Sequence, residues 1–177
     1  MIAKEFNIYL DLDGTCNKFE YVGPDKYSDP NYYRTRPVQE QFVNGLKKLS
    51  EQNKYTFYVV SSKLQGDGFA EAKNDWSEKY LPFVKPENRI YVEYGQSKLE
   101  GIKKHLKSQG KSEVKGIMLD DYTKNLWEFN GSDILPVKVL NGINDTHKSW
   151  TGIRVTAYGE PDAISYTLDA ISDMWAA

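Results

Sequence analysis

Apolar positions along the chain follow two alternating rhythms. Five short runs rich in aromatic and β-branched residues occupy positions 6–12 (FNIYLDL), 54–61 (KYTFYVVS), 89–94 (RIYVEY), 115–119 (KGIML) and 136–140 (PVKVL). Their length and composition predict strands. Between and after them, apolar side chains recur every three or four residues. Val38, Phe42, Leu46 and Leu49 follow Pro37, which suits a first helical turn; Phe69, Ala72, Trp76 and Tyr80 form a second stripe. Leu99, Ile102 and Leu106 form a third, and Ile164, Leu168, Ile171 and Trp175 a fourth. Strands alternating with helices imply right-handed crossovers and a mostly parallel sheet covered on both faces. The predicted class is a doubly wound, Rossmann-like α/β fold. Residues 17–36 break the rhythm: two prolines, one glycine and five aromatics without a period predict a short cap or loop inserted after the first strand.

Composition narrows this picture. A length of 177 residues is that of one domain, and 4 Trp, 13 Tyr and 7 Phe can build a sizeable core, which excludes a disordered chain. Twenty-three basic against 25 acidic residues leave a net charge of -2, so any anion-binding site must be local rather than a broad basic face. The single cysteine, Cys16, excludes an internal disulfide and a multi-cysteine zinc site, and fits a reducing cytoplasmic compartment. The opening MIAKEFNIYLDLDG reaches acidic residues before a signal-type apolar segment could form, and no run approaches a membrane span.

In doubly wound sheets, ligands bind beyond the carboxyl ends of the strands, so those ends are where chemistry is expected. The first predicted strand runs into Asp11-Leu12-Asp13-Gly14-Thr15. Strand alternation would set Asp11 and Asp13 on one face before the glycine turns the chain. Two carboxylates so close repel unless a cation lies between them, and hard oxygen ligands favour magnesium. A solvated turn is the plainer alternative. The fourth strand leads to Asp120-Asp121, which could instead cap a following helix, and the second ends in Ser61-Ser62, which could simply open a loop. After the third strand, Ser97 and Glu100 make a capping-box pattern that places Lys98 in a first helical turn. The helix dipole disfavours a cation there, so Lys98 hints at an anionic partner. His105, His147 and Cys16 sit beside no residue that would make them ligands or nucleophiles.

Taken together, Asp-x-Asp, Ser, Lys and Asp-Asp on successive strand ends resemble the four motifs of the haloacid dehalogenase superfamily of phosphotransferases. The narrower look, carried by DDYTKNLWEFNGSDILPVKVLNG, is similar to 5'(3')-deoxyribonucleotidases. The resemblance implies an Mg2+-dependent phosphomonoesterase. Asp11 would be the nucleophile that forms an aspartyl-phosphate, and Asp13 the general acid and then base. Magnesium would be held by Asp11, the Asp13 main-chain carbonyl and Asp121, with Asp120 behind them. Ser61, Ser62 and Lys98 would bind phosphate, with Lys63 or Lys138 as alternatives to Lys98. Within the insert, Phe19, Tyr21, Tyr27, Tyr32 and Tyr33 could stack on a base, and Lys18, Lys26, Arg34 and Arg36 could steer phosphate, unless these rings merely pack the insert onto the domain. The expected partner is a small phosphomonoester, most simply a (deoxy)nucleotide, and no membrane. Because the insert is shorter than a deoxyribonucleotidase cap, a phosphorylated nucleic-acid end or a sugar phosphate is the runner-up. A phosphoacceptor receiver domain also combines an Asp cluster, Ser or Thr, Lys and magnesium. It carries its acceptor Asp after the third strand, where this chain has Lys98.

Overall fold

A computed structural model describes residues 6–112, 114–146 and 149–177. Among them, six strands form one sheet: β1 (Phe6–Leu10), β2 (Tyr55–Lys63), β3 (Arg89–Glu93), β4 (Gly116–Asp120), β5 (Ile134–Leu140) and β6 (Arg154–Thr156). All pairings are parallel, in the order β3-β2-β1-β4-β5-β6. This is the doubly wound architecture that the alternating pattern predicts. The order reverses at β1, which therefore sits centrally with β2 and β4 on either side. A crevice beyond its carboxyl end follows from that reversal.

The helices cover both faces. On one side, α3 (Glu40–Ser50) and α7 (Pro161–Ala176) pack with Trp76 of α4 (Phe69–Tyr80) on Ile8, Leu10, Val59, Ile117 and Leu119. On the other, α5 (Lys98–Ser108) and α6 (Thr123–Trp127) lay Ile102, Leu106 and Leu126 on Tyr9, Tyr58 and Met118. Alternate residues of each central strand thus feed two separate cores, which is why these strands read as continuous apolar runs. Gly45 lets α3 and α7 approach, since a Cβ there would lie 2.6 Å from Ile164 Cγ2. No helix among the described residues is long and apolar enough to cross a membrane.

The boundaries differ from the sequence expectations in ways that matter for the site. β1 ends at Leu10, so the alternation argument does not reach Asp13. β2 continues to Lys63 because β3 pairs with it through Glu93, which places Ser61 and Ser62 inside the strand rather than beyond it. Pro37 lies outside α3, whose first residue is Glu40. β5 begins two residues earlier than the pattern implied. Its Pro136 is tolerated because β6 pairs only from Lys138 onward, leaving no partner there for the missing N–H. The three-residue β6 went unread, being too short to show a period, and Trp150 precedes it instead of following the last strand. The insert folds into two short helices, α1 (Pro24–Tyr27) and α2 (Pro30–Arg34), and α2 docks on α4 through Tyr32, Tyr33, Phe69 and Ala72.

Candidate active site

The carboxyl ends of β1 and β4 and the first turn of α5 meet at the floor of a cavity of about 760 Å3, into which Asp11, Asp13, Ser62, Lys98 and Asp121 open. Asp11 is the first residue past β1, and the turn after it closes through amides of Thr15, Cys16 and Asn17 donating to the Leu12 carbonyl. Gly14 makes that turn possible. Its φ is +86°, and a Cβ there would stand 2.4 Å from Asp121 Oδ2. Thr15 ties the two loops together: its hydroxyl donates to Asp121 Oδ1 at 3.2 Å and accepts from the Asp121 amide at 3.0 Å.

Lys98 reaches this floor because Ser97 caps α5, accepting from the Glu100 amide at 3.1 Å. Glu128 finishes the helix end by accepting from the Lys98 amide at 3.0 Å and the Ser97 hydroxyl at 2.5 Å. The Lys98 ammonium, 2% exposed, lies 2.8 Å from Asp11 Oδ1 and 2.6 Å from Asp120 Oδ2. Burial alone would favour neutral Lys98, but these two carboxylates hold its pKa above the ordinary lysine value.

One cation does not balance the carboxylates around it. Asp11, Asp120 and Asp121 present oxygens that all lie within 4.8 Å of one another. Burial, then the charge of Asp120 and Asp13, lifts the Asp11 carboxyl to about 6 against the pull of Lys98. Burial, followed by Asp120 and Asp11, raises Asp121 well above the carboxylate range. An all-oxygen set with surplus negative charge suits a hard divalent cation. Both Asp120 oxygens already accept hydrogen bonds, Oδ1 from the Tyr122 amide and Oδ2 from Lys98 and Asn125. Asp121 is oriented by Thr15 and by Asn141, whose amide also donates to the Gly14 carbonyl at 2.8 Å.

Asp13 belongs to a different arrangement. Its side chain is outside the three-acid group and is bonded from the α4 side of the same cavity. Oδ1 accepts from Arg36 Nη1 at 2.9 Å and Asn17 Nδ2 at 3.2 Å, while Oδ2 pairs with Lys73 Nζ. Burial would raise this carboxyl, but Lys73 and Arg36 together hold it below the usual range.

Several sequence expectations need correction. Ser61 is fully buried, its hydroxyl accepting from Lys73 Nζ at 3.1 Å, and Ser62 is the serine that lines the cavity. Arg34 turns away to Asp75, at 2.6 Å, and Asn31 because α2 docks on α4. Tyr21 is 83% exposed and leans edge-on against Phe19; of these three insert residues only Phe19 lines the cavity. Tyr32 is buried against α4, whereas Tyr27 and Tyr33 reach the cavity wall. Lys63 pairs with Glu93, and buried Lys138 donates to Thr123 Oγ1. His105 packs on Tyr58 and Gln109, burial raises the Cys16 thiol, and His147 lies outside the described residues. The residue that sequence reasoning missed is Lys73. Its signal was there: it falls on the apolar stripe of α4, four residues after Phe69 and three before Trp76, where a lysine is out of place.

Comparison with known proteins adds the fold. A haloacid dehalogenase-like family hydrolase from Streptococcus pneumoniae superposes with a TM-score of 0.63 at 12% identity, over 92% of this chain and 98% of the other. The D,D-heptose 1.7-bisphosphate phosphatase from B. bronchiseptica, solved in complex with magnesium and phosphate, gives 0.63 at 13% identity, over 94% and 99%. The chain shares the fold of these two proteins. No protein-family model and no curated protein sequence matches it. Within that fold, Asp11, Asp13, Ser62, Lys98 and Asp121 line the crevice at the strand-order reversal.

Proposed function

We propose that this protein is a magnesium-dependent phosphomonoesterase working through an aspartyl-phosphate on Asp11, with a (deoxy)nucleotide as substrate. One observation carries the reading: the buried Asp11 carboxylate lies at the floor of a cavity, against the ammonium of Lys98 and in a group of three acidic side chains whose oxygens lie within 4.8 Å of one another. The phosphatase that shares the fold supports it, having been solved with magnesium and phosphate.

In this reading an Asp11 oxygen attacks phosphorus while the bond to the leaving oxygen breaks, giving an acyl phosphate. Asp13 gives the departing oxygen a proton that it binds against the pull of Lys73 and Arg36, then takes one from the water that attacks the phosphorus of the intermediate, returning Asp11 and inorganic phosphate. Lys98 stays beside Asp11 throughout and offsets charge that gathers on the phosphoryl oxygens. Asp11, Asp121 and the Asp13 carbonyl would hold the ion, with Asp120 behind them. When bound, magnesium supplies the positive charge this floor lacks and orients the phosphate.

The substrate side is wide enough for a nucleoside. Phe19 and Tyr33 from the insert line the cavity together with Tyr94 and Tyr122, and flat rings suit a base. The cavity is not closed by the short insert, which favours keeping a phosphorylated nucleic-acid end as the second reading. The strand order argues against a receiver domain, whose doubly wound sheet runs 2-1-3-4-5.

Phosphate release from nucleoside 5'- and 3'-monophosphates, sugar phosphates and 5'- or 3'-phosphorylated oligonucleotides, with magnesium and with a chelator, tests the proposal. Magnesium-dependent release from mononucleotides is expected. Release from oligonucleotides alone would transfer the assignment to the second reading, and no release from any of them would end both.

A further inference from the structure

We propose that Lys73 and Arg36 are positioning residues that clamp Asp13 from two sides, so that the insert, through Arg36, completes the acid–base half of the site. The inference rests on the phosphomonoesterase reading, but its argument is geometric. Lys73 is 1% exposed and Arg36 4%, and each directs its charge at a different oxygen of the same carboxylate. They come from distant parts of the chain: Lys73 from α4, and Arg36 from the last residue of the insert.

Each cation is itself held. Lys73 lies 4.9 Å from the Tyr33 ring centroid and also bonds Ser61 Oγ. Arg36 lies 5.2 Å from the Tyr32 centroid, and its Nη2 donates to the Lys18 carbonyl at 2.7 Å. The Arg36 carbonyl in turn accepts from Trp76 Nε1 at 2.8 Å, which ties the insert's end to α4. Neighbouring tyrosines of α2 therefore carry the two arms of the clamp. A fork with buried, stacked arms leaves the carboxylate little rotational freedom, whereas a lone surface carboxylate would sample several rotamers.

The alternative is that the two ion pairs only fasten the insert to α4. Acid–base positioning and fastening make different kinetic predictions. A group that protonates the leaving oxygen matters most when that oxygen is a poor leaving group, and little when it departs readily as an anion. The experiment measures kcat and KM for an alkyl phosphate, phenyl phosphate and 4-nitrophenyl phosphate, using the full-length wild type, Lys73→Met, Lys73→Arg, Arg36→Lys and, as reference, Asp13→Asn, with melting curves for each.

For Lys73→Met, kcat on the alkyl ester should fall by roughly tenfold or more, within the range that general acid–base catalysis provides. On 4-nitrophenyl phosphate it should fall only a few-fold, with KM little changed and the same leaving-group trend as Asp13→Asn. Lys73→Arg should restore part of the loss. If Lys73→Met does not fold, Arg36→Lys carries the test, because it keeps the charge and loses the fork. Equal losses on all three esters, a change confined to KM, or no change would overturn the inference while leaving the phosphomonoesterase reading standing. A wild type inactive on all three esters and on the nucleotide panel would overturn both.

Discussion

Asp11 and Asp13 stand two residues apart in sequence and in opposite electrostatic surroundings. On the α5 side of the sheet, Asp11 shares one ammonium with Asp120, and Asp121 crowds in as well, so the Asp11 and Asp121 carboxyls are pushed up. On the α4 side, Asp13 alone receives a lysine and an arginine and is pulled down. One half of the site is short of positive charge and the other is supplied in full. The comparison teaches that a shared motif does not imply a shared role: the half with the deficit is built to receive a cation and a phosphoryl group, and the saturated half to hold one carboxylate still.

The largest test of this division is Asp11→Asn. Turnover should fall to background in a phosphate-release assay, while the melting temperature of the metal-free protein should not fall. The amide keeps the shape and removes a buried charge whose burial is the main cause of its raised pKa. Clear loss of stability would mean the deficit has been misjudged. Lys98→Met removes the ammonium that is bonded to both Asp11 and Asp120, leaving buried Lys138 to act on Asp120 and Asp121 only through space. Breaking such a buried pair destabilises by about 3–5 kcal/mol, and loss of an oxyanion-stabilising group lowers kcat by about 10²–10³-fold. Urea melts and steady-state kinetics read the two effects, and a variant with normal kcat would shift attention to Lys63.

Adding magnesium should raise the melting temperature of the wild type. At a hundred times its dissociation constant a ligand contributes about 2.7 kcal/mol, and Asp121→Asn should remove most of the shift. A melting temperature indifferent to magnesium would leave the surplus charge on the α5 side unexplained. The smallest expected effect concerns the two walls of the cavity. Tyr94→Ala and Phe19→Ala should each raise KM for a mononucleotide by several-fold, from the loss of about 1 kcal/mol of ring contact, and leave ribose 5-phosphate unaffected. The wall with the larger change is the one that holds the base.

What could be read in advance was local. The runs of β1, β2 and β4 are largely apolar because both faces of the central strands are covered, and Ser97 signals its helix start through a cap made three residues away. The Asp11, Asp13, Lys98 and Asp120-Asp121 motifs are legible for the same reason, as each sits where a strand or helix changes state. Arg34 misled because charge and placement in the insert say nothing of direction; only the docking of α2 shows that it pairs with Asp75. Ser61 misled because β2 runs longer than its apolar stretch, an extension set by the partner strand.

Sequence by itself determined the layering of this protein, the crevice at which its strands end and the types of side chain delivered there, because periodicity and capping act within a few residues. Tertiary structure alone decided how those side chains pair. Lys98 meets Asp11 across 87 positions and Lys73 meets Asp13 across 60, one from each face of the sheet. Charge acts through space, so no spacing along the chain could say which carboxylate would be clamped and which left wanting a cation.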